Sequence, residues 1–191
     1  MSTHSRLRID TEILVDDFAG DTEENLMGGE NASVALDTDT NAPPYTAGLT
    51  AAGRGGTIAE VIAQWTTARH LAWSDPAGTV SFGLGEPLDL MAQQSVVLRI
   101  ARDCPPPTAM CEIGWVDFDV VLTDAAGASV AVPVTTGLGE KGIVGRHWSN
   151  AILPLDAFSG VDLSSVQTVE LDLGTLGIEA GDLWIDDLRF E

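Results

Sequence analysis

The stretch Leu183-Trp184-Ile185-Asp186-Asp187-Leu188-Arg189-Phe190 reads as a β-strand that carries an aspartate pair inside an apolar pattern. A second pair lies near the other end, in Leu14-Val15-Asp16-Asp17-Phe18. Strand side chains alternate between faces, so Trp184, Asp186, Leu188 and Phe190 are expected on one face, as are Leu14, Asp16 and Phe18. Each terminal strand then carries one carboxylate on its apolar face. A buried carboxylate without a partner is too costly to keep. If the first and last strands pair, Asp16 and Asp186 converge on one hard cation, with Asp17 or Asp187 and backbone carbonyls completing the shell. Calcium, whose ligands are oxygens, suits that donor set. The alternative is that each aspartate caps a turn or pairs with an arginine such as Arg189.

Working inward, short apolar segments with alternating faces are separated by Gly, Asp, Asn and Pro clusters, the signals of strands and turns. Strands are predicted over Glu12–Phe18, Ala32–Asp37, Thr57–Thr66, Thr79–Leu84, Ser95–Arg102, Trp115–Thr123, Ser129–Val134, His147–Leu153, Val166–Leu173 and Asp182–Phe190. Asp124-Ala125-Ala126-Gly127 reads as a hairpin turn, and Gly53-Arg54-Gly55-Gly56 and Gly137-Leu138-Gly139 read as loops. Leu155-Asp156-Ala157-Phe158 and Leu163-Ser164-Ser165 can each form one helical turn, and no stretch has a long helical period with caps. This spacing predicts an all-β protein, a two-sheet antiparallel β-sandwich of the jelly-roll kind. Residues 1–11 read as a flexible N-terminal tail and 12–191 as a single domain.

Composition narrows the partners. The chain has 191 residues, 45% of them hydrophobic, enough for a sizeable core. Against 29 acidic residues stand 9 basic ones, a formal net charge of -20. Such a surface repels nucleic acid and anionic membranes and suits neutral or cationic ligands, bound cations or plain solubility. Lys141 is the single lysine, and the Ala, Gly, Asp and Thr usage suits a salt-tolerant or high-GC source. No apolar run approaches the ~20 residues that span a bilayer, and the polar start shows no hydrophobic signal region. Cys104 and Cys111 bracket a proline-rich loop: either they form a disulfide, which points to an oxidising compartment, or they are two buried thiols. An extracellular or cell-surface location is the expectation.

Chemistry is sought first on Trp115-Val116-Asp117-Phe118-Asp119-Val120-Val121-Leu122. Val116, Phe118, Val120 and Leu122 make a core face, leaving Trp115, Asp117 and Asp119 together on the other. A ring beside carboxylates suits a saccharide, since the ring covers the apolar C–H face of a sugar while carboxylates accept its hydroxyls. A solvated strand face with one covering tryptophan is the competing reading. In Ser95–Arg102, Val96, Leu98 and Ile100 point inward and Arg99 outward with Val97; if this strand neighbours the Trp115 strand, Arg99 meets Asp117 or Asp119. Ala63-Gln64-Trp65 and Arg146-His147-Trp148 add polar–aromatic combinations, with Trp65 and Trp148 read as core or rim residues. The sequence has no nucleophile elbow, zinc-protease motif or phosphate-cradling glycine loop.

Several segments, taken in order, resemble a known family: Val15-Asp16-Asp17-Phe18, Leu26-Met27-Gly28-Gly29, Gly55-Gly56-Thr57, Trp148 with Ile152-Leu153-Pro154-Leu155-Asp156-Ala157-Phe158, Val161 to Val166, and Gly181 to Phe190. Together they resemble the galactose-binding-like jelly roll of family 11 carbohydrate-binding modules and the related complex I intermediate-associated proteins, whose pattern also carries the early Met-Gly-Gly. The resemblance implies a two-sheet sandwich, often with a structural calcium, and in the sugar-binding branch a shallow cleft on the concave sheet. The Cys104–Cys111 loop and the tyrosine-poor, alanine-rich face depart from the sugar-binding pattern. The resulting expectation is a non-catalytic module that binds a polysaccharide or oligosaccharide through Trp115, Asp117, Asp119, Arg99, Gln64 and His147, with calcium held by Asp16, Asp17, Asp186 and Asp187. A larger parent enzyme or assembly is a further expected partner. The rivals are a scaffold protein that kept the fold without the sugar, and a carbohydrate-active enzyme, which needs two facing acids in a cleft.

Overall fold

The structure, a computed structural model, describes residues 12–16, 26–29, 31–34, 36–39, 69–74, 78–102, 118–139, 148–173 and 180–191. Eleven strands appear among them: β1 (Ile13–Asp16), β2 (Asn31–Val34), β3 (Leu36–Asp39), β4 (Arg69–Ser74), β5 (Thr79–Leu88), β6 (Ser95–Arg102), β7 (Asp119–Asp124), β8 (Ser129–Pro133), β9 (Ser149–Pro154), β10 (Val166–Asp172) and β11 (Ala180–Phe190). The first sheet runs β3-β4-β11-β6-β9, with β1 also paired to β11; the second runs β2-β5-β10-β7-β8. Every pairing is antiparallel. The all-β sandwich expected from the strand spacing is the architecture observed.

The core follows from period-two alternation. Val80, Phe82 and Leu84 on β5, Val96, Leu98 and Ile100 on β6, and Phe118, Val120 and Leu122 leading through β7 are all buried in one cluster. Each such side chain removed from water contributes about 1.5–3 kcal/mol. The turn at Asp124–Gly127 closes the β7–β8 hairpin as expected: Gly127 N–H donates to the Asp124 carbonyl at 2.9 Å, and Gly127 sits at φ 84°. Leu155–Phe158 is a single 3-10 turn that buries Leu155 and Phe158. Leu163–Ser165 is a turn held by Asp162, whose carboxylate accepts from the Ser164 N–H at 3.0 Å and its hydroxyl at 2.7 Å.

The Met27-Gly28-Gly29 motif has a packing explanation. A Cβ on Gly29 would overlap the Gly83 carbonyl of β5, and one on Gly85 would meet the Met27 carbonyl at 2.8 Å. Two backbones touch here, and a side chain would hold them apart.

Three strand expectations need correction. The single strand read over Ala32–Asp37 is two strands in different sheets, because the chain crosses the sandwich between Val34 and Leu36. β4 was not expected at all: Arg-His-Leu-Ala-Trp-Ser has no clean alternation, yet it pairs with both β3 and β11. β6 and β7 follow one another as strands of different sheets, so Arg99 and Asp119 are not neighbours. The predicted strand Thr57–Thr66 and the cysteine loop lie outside the described residues.

Candidate functional site

The first and last strands do pair, with Ile13 opposite Phe190 and Leu14 opposite Arg189. The faces differ from simple alternation because both strands bulge. In β11 the register slips between Asp186 and Arg189, and Asp187 adopts φ 50°, a left-handed conformation that Asp tolerates better than most residues. The bulge resets the parity. Ile185, Leu188 and Phe190 join the core, while Asp186 stands opposite Arg99 on the sheet's other face, with Trp184 opposite Ala101. In β1 a second bulge lies between Leu14 and Asp16, and Val15 rather than Leu14 enters the core. The inference that Asp186 shares the apolar face of Leu188 and Phe190 is therefore wrong, although Asp186 is fully buried.

What meets Asp186 is a guanidinium. Arg99 Nη1 donates to Asp186 Oδ2 at 3.1 Å and approaches Asp187 Oδ2 at 4.0 Å. Asp186 Oδ1 accepts the Asp187 N–H at 3.0 Å. The guanidinium carbon of Arg99 also lies 4.8 Å from the centroid of the Trp148 ring, a cation–π contact. Arg189 is bonded to Glu12 at 3.2 Å and to Glu191 at 2.8 Å, and its Nη1 donates to the Asp187 backbone carbonyl at 3.4 Å. Asp16 is nearly buried opposite Leu188.

One Asp186 oxygen accepts from the Arg99 guanidinium and the other from a backbone N–H, so this buried carboxylate has the partners that its burial requires. Among the described residues no three His, Cys, Asp or Glu side chains gather to hold a metal. Asp17 is outside the described residues. Of the expected calcium set, Asp186 and Asp187 lie beside Arg99, and Asp16 is nearly buried on β1.

The sugar-site residues divide likewise. Asp119 points away from the core on the outer face of the second sheet, in line with Val121 and Thr123, as its parity required. Arg99 is on the outer face of the first sheet, on the opposite side of the sandwich. Trp115, Asp117, Gln64 and His147 lie outside the described residues. The arrangement that emerges instead is Arg99, Trp148, Asp186 and Asp187 with Asn150, which is exposed on β9 directly opposite Arg99. Around it Val97, Ala101 and Trp184 are buried even though they face away from the core. Trp148 as an active partner was missed; it precedes Asn150 by two residues, and that spacing puts it on Arg99's face. Chemically the cluster offers guanidinium donors, the Asp187 carboxylate and an indole ring at a partly exposed rim, groups that can hydrogen-bond hydroxyls and stack on an apolar face.

A second polar network braces the opposite end of β7. Asp124 Oδ1 accepts the N–H groups of Ala126 and Ala128, both at 2.9 Å, and Oδ2 that of Asp162 at 2.9 Å. These bonds, the one from Asp162 foremost, hold the Asp124 carboxyl below the usual carboxylate range. The Ser164 hydroxyl and N–H do the same for Asp162. Asp124 ties the hairpin to the segment before β10 and is structural.

No known family model matches the chain, and no curated protein matches its sequence. Solved structures do share the fold. A variant of a carbohydrate-binding module of family 29 superposes with TM-score 0.54 at 11% identity, over 94% of this chain and 90% of that one. An exo-β-agarase superposes with TM-score 0.57 at 12% identity, over 94% of this chain but 24% of its own. A β-1,2-glucanase from Parabacteroides distasonis gives TM-score 0.54 at 10% identity, over 94% and 25%. The chain thus spans nearly all of the module and about a quarter of each enzyme, and what it shares with them is the β-sandwich fold.

Proposed function

We propose that this chain is a non-catalytic carbohydrate-binding module. The observation that carries the reading is the Arg99–Trp148 stack, set beside Asp187 and Asn150 on a partly exposed sheet face. A sugar ring presents an apolar C–H face and a belt of hydroxyls, and this cluster offers a ring for the first and fixed donors and acceptors for the second. Arg99 is oriented by Asp186 before any ligand arrives, which lowers the entropy cost of binding. Support comes from the fold neighbours, among them a family 29 module of nearly the same length. The motif order that resembles family 11 modules and complex I intermediate-associated proteins supports the same sandwich, and of the two branches the rim chemistry favours the sugar-binding one. A role beside a larger catalytic partner agrees with the enzymes in which this sandwich is about a quarter of the chain, and a location outside the cell is proposed with it.

The reading is tested by affinity electrophoresis of the folded protein in gels containing agarose, β-1,2-glucan, mannan, xylan or cellulose derivatives. Retardation by at least one neutral polysaccharide is expected. Unretarded migration in every gel, with an unchanged circular dichroism spectrum, counts against sugar binding and in favour of a scaffold role.

A further inference from the structure

Charge is divided unequally between the two sheets. The strands of the second sheet carry Glu86, Asp119, Asp124, Glu170 and Asp172 and no Lys, Arg or His. The strands of the first carry Arg69, His70, Arg99, Arg102 and Arg189 beside Asp16, Asp37, Asp39, Asp182, Asp186 and Asp187, so there the acids are largely offset. Within the acidic sheet, Asp119 and Asp172 are direct cross-strand partners between β7 and β10. Like charges placed directly opposite destabilise a sheet. Asp119 Oδ1 is buried and makes no hydrogen bond. Nearby, Glu170 faces outward too and accepts from the Ser81 hydroxyl at 2.6 Å. This rung is embedded in a chain of net charge -20, and self-repulsion of that size works against the compact state.

We propose that the fold is salt-gated: ionic strength, by screening the acidic second sheet and above all its Asp119–Asp172 rung, decides how stable the sandwich is. The screening length falls from about 30 Å at 0.01 M salt to about 10 Å at 0.1 M and about 3 Å at 1 M, so repulsion across the sheet is felt at low salt and nearly extinguished at molar salt. The proposal is independent of the sugar reading, because it concerns stability and a different face.

The experiment is thermal melting of the whole chain from about 0.01 M to about 1 M NaCl, repeated in low guanidinium chloride, which screens charge while weakening hydrophobic burial. Screening predicts a Tm that climbs with NaCl and also rises over the first additions of guanidinium chloride. D119N should raise Tm by about 2–4 °C at the lowest salt and lose that advantage at about 1 M. D156N, which removes an exposed charge from the 3-10 turn away from the rung, should do less. A Tm indifferent to NaCl overturns the proposal, as does a fall on the first guanidinium chloride, which would mark salting-out in place of screening. Equal effects of D119N and D156N overturn the role of the rung. A saturable response to millimolar calcium would replace screening with ion binding.

Discussion

Replacing Asp186 or Arg99 separates the arginine account of the β11 aspartates from the cation account. Asp186 is fully buried, whereas 26% of the Arg99 side chain remains exposed. In D186N the amide oxygen can accept from either Arg99 or the Asp187 N–H, but its NH₂ group then opposes the other donor. The loss is one charge-assisted hydrogen bond, about 1.5–3 kcal/mol. Arg99 can turn toward water or Asp187, which places the cost near the lower end, a Tm fall of about 4–8 °C at about 2–4 °C per kcal/mol. R99M removes the guanidinium and leaves the negative charge buried, the more expensive direction, about 3–5 kcal/mol. Chemical denaturation and melting of D186N, R99M and the double variant give a thermodynamic cycle, and the double variant should cost clearly less than the sum. If R99M is no more destabilising than D186N, Asp186 draws its compensation from something other than Arg99 and the arginine account fails.

Chelation offers a companion test of the expected calcium: an ion joining Asp16 to Asp186 should make the melting temperature fall in EDTA and recover with calcium, and coincident curves would sink it. G29A should destabilise by about 1–3 kcal/mol, since its new Cβ meets the backbone of Gly83, which cannot swing aside; wild-type stability in urea denaturation would show that the two segments do not pack so closely. Because Asp124 and Asp162 titrate below their ordinary value in the fold, their contribution is fully present above the unfolded value of about 3.9 and is lost as pH falls through the folded values. Acid titration of D124N should therefore show a shallower loss of stability below about pH 4 than the wild type, and parallel curves would remove Asp124 from the acid response.

The sandwich was legible because alternation on β6 and β7 and the Asp124–Gly127 turn are local signals: Val96, Leu98, Ile100, Phe118, Val120 and Leu122 all point inward as read. The site was less so, for physical reasons. Parity along β11 breaks at Asp187, whose left-handed backbone leaves no mark in a hydrophobicity pattern, so Asp186 was assigned to the wrong face. Arg99 and Asp119 looked like neighbours because their strands are consecutive, but β6 and β7 belong to opposite sheets. The Arg99–Trp148 contact joins β6 to the residue before β9, a pairing that depends on strand order and has no trace in spacing alone.

Isothermal titration of wild type and W148A with the neutral polysaccharide that retards the wild type most decides whether sugar binds on this face. Trp148 is half-buried and is stacked by Arg99, so its removal should leave the fold intact with a small loss from the cation–π contact, about 0.5–1 kcal/mol. Loss of the ring as a sugar platform should weaken binding by about 1–2 kcal/mol, roughly tenfold or more in Kd. A folded W148A that binds the same glycan with wild-type affinity would contradict the account and take the Arg99–Trp148 face out of the binding site.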